Sequence, residues 1–252
     1  MISSTPQTTQ NPQTQGFTLI EVLVVVVIIG VLAGIAGPSW IGWVTQQRIN
    51  ATNGAIISAI EKARNDAQAK KVPQTVAFRV IDGIPQVAVF PAVENDELDA
   101  NARGRLNNLW QQGQVTGVNP GEVLLMTNLA GENKLNDDGA SVLPATTPAS
   151  SEVKTIASKA DNNSFWTSTG NKLPKHRITF DHNGILSGDN PDAGLMILVS
   201  MPTNADRNNG ITETTKPIAS KIRCVRVGTL IGGLQLGRSA NDCNRMRQGE
   251  ED

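Results

Sequence analysis

The sequence predicts an α+β protein in which one long N-terminal helix packs on a mostly antiparallel β-sheet. Three observations predict it. An almost unbroken apolar run extends from Val22 to Gly37. Apolar and small residues then recur at helical spacing as far as Lys71. After Pro73 the pattern changes to period two and to short apolar runs separated by turn residues.

The first segment, Met1 to Gly16, is rich in Gln, Thr, Ser, Asn and Pro and holds no Lys, Arg, Asp or Glu, so it has nothing with which to build a core. Phe17 to Gly37 follows, about 21 residues or roughly 31 Å of helix, which is the thickness of a bilayer's hydrocarbon. One carboxylate, Glu21, lies inside it. An uncompensated charge costs about 2.5 to 3.5 kcal/mol at mid-membrane and less near an end, so Glu21 calls for a partner. A secretory signal peptide does not fit: the basic n-region is missing, the core is too long and Glu21 interrupts it. Pro38 also spoils the small-residue stretch Ala33-Gly34-Ile35-Ala36-Gly37 as a cleavage site.

From Trp40 to Lys71 only Gly42 and Gly54 weaken the helix, and Ile49, Ile56, Ile60, Ala63 and Ala67 recur at spacings of seven, four and three. This predicts an amphipathic stem. Pro38 predicts a kink or local loosening, because it lacks the N–H that the preceding turn uses. Trp40 and Trp43 fall where an aromatic belt would mark a membrane interface; packing against a globular domain explains them equally well. Gln46, Gln47, Arg48 and Asn50 mark the passage into water, and Pro73 ends the helix near Lys71.

Strands are predicted at Thr75–Val80 and Gln86–Phe90, joined by Asp82-Gly83 as a hairpin, and at Glu122–Thr127, Arg177–Asp181, Leu195–Ser200 and Ile222–Val227. Asn183-Gly184 is a turn signal before Ile185-Leu186, and Gly232–Leu236 reads as a last short strand. Two segments read as insertions: Ser141–Asn163, rich in Ala, Ser, Thr and Pro, and Pro202–Ser220, rich in Asn, Thr and Pro. With 252 residues, 39% hydrophobic and 18% charged, the chain has enough left beyond the stem for one globular domain, 73–252.

Nothing in the sequence predicts catalysis or a cofactor. There are two histidines, His176 and His182, at the ends of one strand, no Tyr, and no nucleophile-elbow, zinc-protease or phosphate-loop pattern. Asp137-Asp138-Gly139 and the Asp181–Asp192 stretch invite a calcium reading, but neither follows the spaced loop pattern, since Lys134 takes the first ligand position and Ile185 breaks the second run. Turn chemistry explains them.

The stretch Gly16-Phe17-Thr18-Leu19-Ile20-Glu21-Val22-Leu23-Val24-Val25, with Gly30 and Pro38 downstream, resembles the N-terminal signal of type IV pilins and type II secretion pseudopilins. The resemblance implies the type IV pilin-like fold and a leader, 1–16, cut off by a prepilin peptidase after Gly16. It implies N-methylation of Phe17, and Glu21 as the family's acidic position, used in assembly. It further implies a single pass of the inner membrane by 17–37 within an N-terminal helix 17–72. The domain 73–252 would lie in the periplasm, and the subunit would join a filament of pilin or pseudopilin neighbours. Physical logic supports this: cleavage creates an amine on Phe17, and in a filament Glu21 of one subunit can neutralise the amine of the next, since a desolvated charge is tolerable only when paired. The leader departs from the family in carrying no Lys or Arg, so orientation rests on the motif and on the cysteines.

In such an extracytoplasmic domain Cys224 and Cys243, the two cysteines present, are expected to form a disulfide, worth on the order of 3 kcal/mol. A zinc site built from them and the histidines lacks the usual close ligand pairs. Shorter pieces resemble the H-type pseudopilins and T-type minor pilins, the GspH/FimT-like branch. They are Arg48-Ile49-Asn50, Ala63-Arg64-Asn65-Asp66-Ala67, Val76-Ala77-Phe78, Ile178-Thr179-Phe180-Asp181-His182-Asn183-Gly184 and Ile222-Arg223-Cys224-Val225. Some T-type members bind DNA in natural transformation through a basic C-terminal patch. That alternative points here to Arg223, Arg226, Arg238, Arg245 and Arg247, with Lys221 nearby and Asp242 against them. The acidic tail Glu250-Glu251-Asp252 and the lack of aromatics for base stacking count against it.

Overall fold

Helix α1 (Leu19–Lys70) ends as its sequence requires: Lys71 turns into the left-handed region at φ 55°, and Pro73 blocks any continuation. The computed structural model describes residues 16–93, 100–135, 153–157, 173–188, 191–192, 194–203, 210–212 and 214–248, the side chains of 35–39, 41 and 100 excepted. The leader up to Gln15, the Asp137-Asp138-Gly139 turn, the parts 141–152 and 158–163 of the first expected insertion, and the tail Glu250–Asp252 lie outside the described residues. Two compact units result, 1–44 and 45–252.

In the first unit α1 runs on past Pro38, where the proline removes one backbone donor without ending the helix. Among the described residues no helix is long and apolar enough to cross a membrane. The described apolar part of α1, 19–34, covers only about 24 Å, so the span expected over 17–37 depends on Ile35, Ala36 and Gly37 as well.

In the second unit two antiparallel sheets stand where the sequence predicted one. The strands are β1 (Gln74–Ile81), β2 (Ile84–Pro91), β3 (Leu124–Thr127), β4 (Leu129–Gly131), β5 (Lys134–Leu135), β6 (Lys154–Thr155), β7 (Arg177–Phe180), β8 (Leu195–Ser200), β9 (Arg223–Val227) and β10 (Leu234–Gly237). One sheet is ordered β2-β1-β7, the other β10-β9-β8-β3-β6, and β4-β5 is a small ribbon. β1 and β2 form the expected hairpin, with Asp82 and Gly83 both at positive φ, the signature of a two-residue turn whose twist matches the strands.

Both sheets give one face to α1: Ile49, Ile56, Ile60, Ala63 and Ala67 form a single core with Val76, Phe78, Ile178 and Phe180 of the first sheet and Leu125, Ile197, Val199, Val225 and Val227 of the second. The opposite faces are also covered, by two helices the sequence did not predict. Helix α2 (Ala100–Gln112) lays Leu106 and Trp110 on Ala77, Ala88 and Phe90. Helix α3 (Ala240–Gln248) lays Cys243 and Met246 against the face formed by Leu124, Met126, Met196 and Leu198. Successive residues of β8 therefore alternate between two cores, which is why Leu195-Met196-Ile197-Leu198-Val199 is apolar at every position rather than at every second one.

One expected insertion is corrected. Within Ser141–Asn163 the described residues belong to the core: β6 pairs with β3, and Val153 and Ile156 are buried. Two buried asparagines fasten the sheets. Asn133, at φ 51°, accepts from the Thr179 N–H and donates to the carbonyls of Thr179 and Ser187. Asn128 likewise accepts from the Met196 N–H and donates to the Gly194 carbonyl.

Candidate functional site

The N-terminal site begins just ahead of α1. Gly16, Phe17 and Thr18 precede the helix and are exposed. Thr18 is its N-cap: the Glu21 N–H reaches the Thr18 hydroxyl at 3.3 Å, and the Thr18 carbonyl accepts from the N–H groups of Glu21 and Val22. Thr18-Leu19-Ile20-Glu21 is thus the spacing of a capping box, which places the Glu21 carboxylate in the first turn, where the helix dipole favours a negative charge. The sequence analysis gave Glu21 a role in assembly and did not single out Thr18, although the Thr-x-x-Glu spacing was present to be read.

Among the described residues, none from 16 to 34 is buried by the chain itself. Phe17 is 82% exposed, and the large apolar residues from Val22 to Leu32 are between 48% and 62% exposed. The Glu21 carboxylate meets no cation among the described residues. Gly16 has no heavy atom within 4 Å of where a Cβ would stand, so packing does not demand a glycine there. From Val22 to Leu32 the exposed surface is apolar and continuous.

The C-terminal candidates are arranged differently. Cys224 of β9 and Cys243 of α3 are joined by a disulfide with Cα atoms 6.0 Å apart. Gly237 lies against both sulfurs, and a side chain there would collide with the Cys224 sulfur, so packing on the disulfide explains this glycine. The five arginines are not gathered into one patch. Arg223 and Arg226 have opposite parity on β9 and so point to opposite faces. The Arg223 guanidinium donates to the carbonyls of Ile222 and Arg238, and Arg226 donates to Oε1 of Gln235, its cross-strand partner, at 2.7 Å. Arg245 pairs with Asp242 at 3.2 Å, and Arg247 is 3% exposed with its guanidinium near Asn244. Arg238 is exposed. The Ser239 hydroxyl and then the Arg238 N–H hold the Asp242 carboxyl below its ordinary range.

His176 and His182 flank β7, the first touching the Leu129 carbonyl and the second exposed beside Asn183. Asp181 makes an Asx turn: its Oδ1 accepts from the N–H groups of Asn183 and Ile185. Burial alone would raise its pKa, but the Ile185 and Asn183 N–H groups hold it below the ordinary range. The turn rests on the stem, since the Gln68 amide donates to the Asn183 carbonyl at 2.9 Å. The turn at 229–232 does the same through Arg64, whose guanidinium reaches the Gly232 carbonyl. Among the described residues no group of His, Cys, Asp and Glu is placed to hold a metal ion.

No curated protein and no solved structure shows significant similarity to the chain. Residues 11–37, which include Gly16, Phe17 and Glu21, match the family model of the prokaryotic N-terminal methylation motif, and this match supports a type IV pilin-like protein.

Proposed function

We propose that the chain is a minor pilin or pseudopilin, a non-enzymatic structural subunit of a type IV pilus or of a type II secretion pseudopilus. The match over 11–37 carries this reading. Prepilin peptidase cleaves between Gly16 and Phe17 and methylates the new amine. The subunit waits in the inner membrane as a single-pass protein with 73–252 in the periplasm, then joins the filament through α1. Glu21 meets the Phe17 amine of a neighbour as both leave water. Three observations among the described residues support the sequence of steps: Gly16 has no packing reason to be glycine, Phe17 protrudes, and Glu21 meets no cation.

Within the family we assign the chain to the GspH/FimT-like branch. Two of the five pieces that resemble that branch lie where the stem meets the domain, at Arg64 and at the Asp181–Gly184 turn held by Gln68. The alternative, DNA uptake through Arg223, Arg226, Arg238, Arg245 and Arg247, has less support, because four of the five side chains already have partners within the domain.

Mass spectrometry of the chain isolated from membranes tests the reading. A mature terminus at N-methylated Phe17 is expected; a retained leader, or a terminus elsewhere, overturns it. Co-purification with sheared surface filaments, set against co-purification with type II secretion components, then separates pilus from pseudopilus.

A further inference from the structure

We propose that Trp40 and Trp43 form an aromatic anchor at the periplasmic face of the membrane, and that this anchor fixes α1 in a register that leaves Glu21 at the opposite interface instead of in the hydrocarbon. The proposal rests on the membrane reading above. Trp40 and Trp43 are three residues apart and so lie on one helix face, with ring centroids 5.1 Å apart and planes at 38°. Both rings are out in the open, at 64% and 55% exposure. An indole has an apolar body and one N–H donor, and the environment that satisfies both at once is the headgroup boundary.

The spacing commits the partner to a bilayer. From Glu21 to Trp40 is 19 residues, or about 28 Å of helix, and to Trp43 about 33 Å, which brackets a hydrocarbon layer of about 30 Å. Between Glu21 and Trp40 the sequence holds no Lys, Arg, Asp, Glu or His, and after Trp43 it passes within three residues to Gln46, Gln47 and Arg48. Each end of the interval thus carries a group that prefers the boundary, a carboxylate at one and an aromatic pair at the other. Sliding the helix toward the periplasm drags Glu21 into hydrocarbon, and sliding it the other way buries the indole N–H groups and brings the polar stem toward the membrane. Glu21 therefore stays hydrated while the subunit waits and is desolvated only on joining a filament, where the amine is available to it.

The test uses the full chain in membranes. Tryptophan quenching by lipids brominated at carbons 6,7 or 11,12 is measured for the wild type and for Trp40→Phe/Trp43→Phe, and the difference isolates this pair from Trp110 and Trp166. In parallel, Glu21→Cys and Ile29→Cys are treated with a membrane-impermeant maleimide in inverted vesicles, the native cysteines being disulfide-bonded. The expected result is quenching by the shallow bromine at least about twofold stronger than by the deep one. The thiol at 21 labels and the thiol at 29 does not, and labelling at 21 changes severalfold when Trp40→Ala/Trp43→Ala is added. Deep quenching, or a thiol at 21 that is protected to the same extent as the one at 29, overturns the register while the protein still resists carbonate extraction. Release by carbonate overturns the membrane reading itself, and the register with it.

Discussion

The two ends of α1 treat the same kinds of residue in opposite ways. From Val22 to Leu32 the large aliphatic residues are exposed at every position, whereas Ile49, Ile56, Ile60, Ala63 and Ala67 are all essentially inaccessible. The difference lies in periodicity. In the stem the apolar residues occupy one stripe, so two sheet faces suffice to cover it, and alanine at 63 and 67 lets the strands come close. At the N-terminal end every side is apolar, and no single domain face could cover such a helix. The stem covers its apolar stripe within its own domain, while the described residues 22–32 leave theirs exposed, which is the arrangement that the proposed insertion into lipid or a filament requires.

That contrast can be broken at Glu21. Glu21→Ala should leave membrane insertion intact, because removing a charge only makes the span more apolar, and the fold of 45–252 unchanged, because Glu21 belongs to the other unit. In a filament it would leave a Phe17 amine buried without its partner, a loss of the order of 3 to 5 kcal/mol. Incorporation into sheared filaments should accordingly fall by at least about a hundredfold against the wild type, measured by quantitative immunoblot. Normal incorporation would mean that Glu21 serves only the capping geometry of the first turn.

The same contrast predicts opposite results for one substitution made twice. Ile56→Ala should lower the unfolding free energy of 45–252 by about 2 to 5 kcal/mol, since the site is enclosed on all sides. Ile28→Ala should not change the unfolding of that domain at all, and any effect should appear only in assembly. Urea unfolding followed by circular dichroism distinguishes them. Equal costs at the two positions would mean that the exposed end is packed by its own chain after all.

A smaller effect is expected at the C-terminal edge, where α3 has few apolar contacts of its own. Cys243→Ser should cost about 2 to 4 kcal/mol by the loop-entropy account. Gly237→Ala, which pushes a methyl group against the disulfide, should cost about 1 to 3 kcal/mol. In both, α3 should become exchange-competent before the β1-β2 hairpin does, as read by hydrogen exchange. Uniform loss of protection would show that α3 is not the weaker element.

These elements also mark where the sequence was readable. The stem, the Asp82-Gly83 hairpin and most strands were legible because each carries its own periodicity or turn residues. Helix α2 was not: among its thirteen residues only Leu106, Leu109 and Trp110 give an apolar face, with Gly104 and three asparagines diluting the signal. Helix α3 offers Cys243 and Met246 with the small Ala240, and depends on a bond to a residue 19 positions away. β6 was hidden for a similar reason, since Val153 and Ile156 look like isolated apolar residues in a loop until β3 is placed beside them. A signal for α3 was present but unused: runs such as Leu124-Leu125-Met126 and Leu195-Met196-Ile197 are apolar on both faces and so require covers on both sides of the sheet. The N-terminal candidate is a linear motif and so stands whole in the sequence, whereas the surroundings of the C-terminal arginines are set by strand parity and cross-strand partners, which the sequence does not display.

The smallest effect is expected at the point where the buried stem begins. The Arg48 guanidinium lies 2.5 Å from Glu122 Oε2, and the Asn119 N–H and side-chain amide each donate to the same carboxylate at 3.0 Å. Burial alone would raise the Glu122 pKa, but Asn119 and then Arg48 hold it below the ordinary value of 4.5. A depressed carboxylate stabilises the fold above its unfolded pKa and loses that contribution as pH falls through its folded pKa. Stability of 45–252 should therefore be level between about pH 7 and 5 and decline below about pH 4.5. Asp66, lowered chiefly by hydrogen bonds from Lys62 and Lys70, declines in the same window. Glu122→Gln isolates one contribution: it should cost less than about 1 kcal/mol at pH 7, because both side chains are partly exposed, and it should make the acid limb of the curve shallower. An unchanged acid limb would mean that Arg48 and Glu122 meet without holding the stem, and that the hydrophobic stripe alone fixes where the free part of α1 begins.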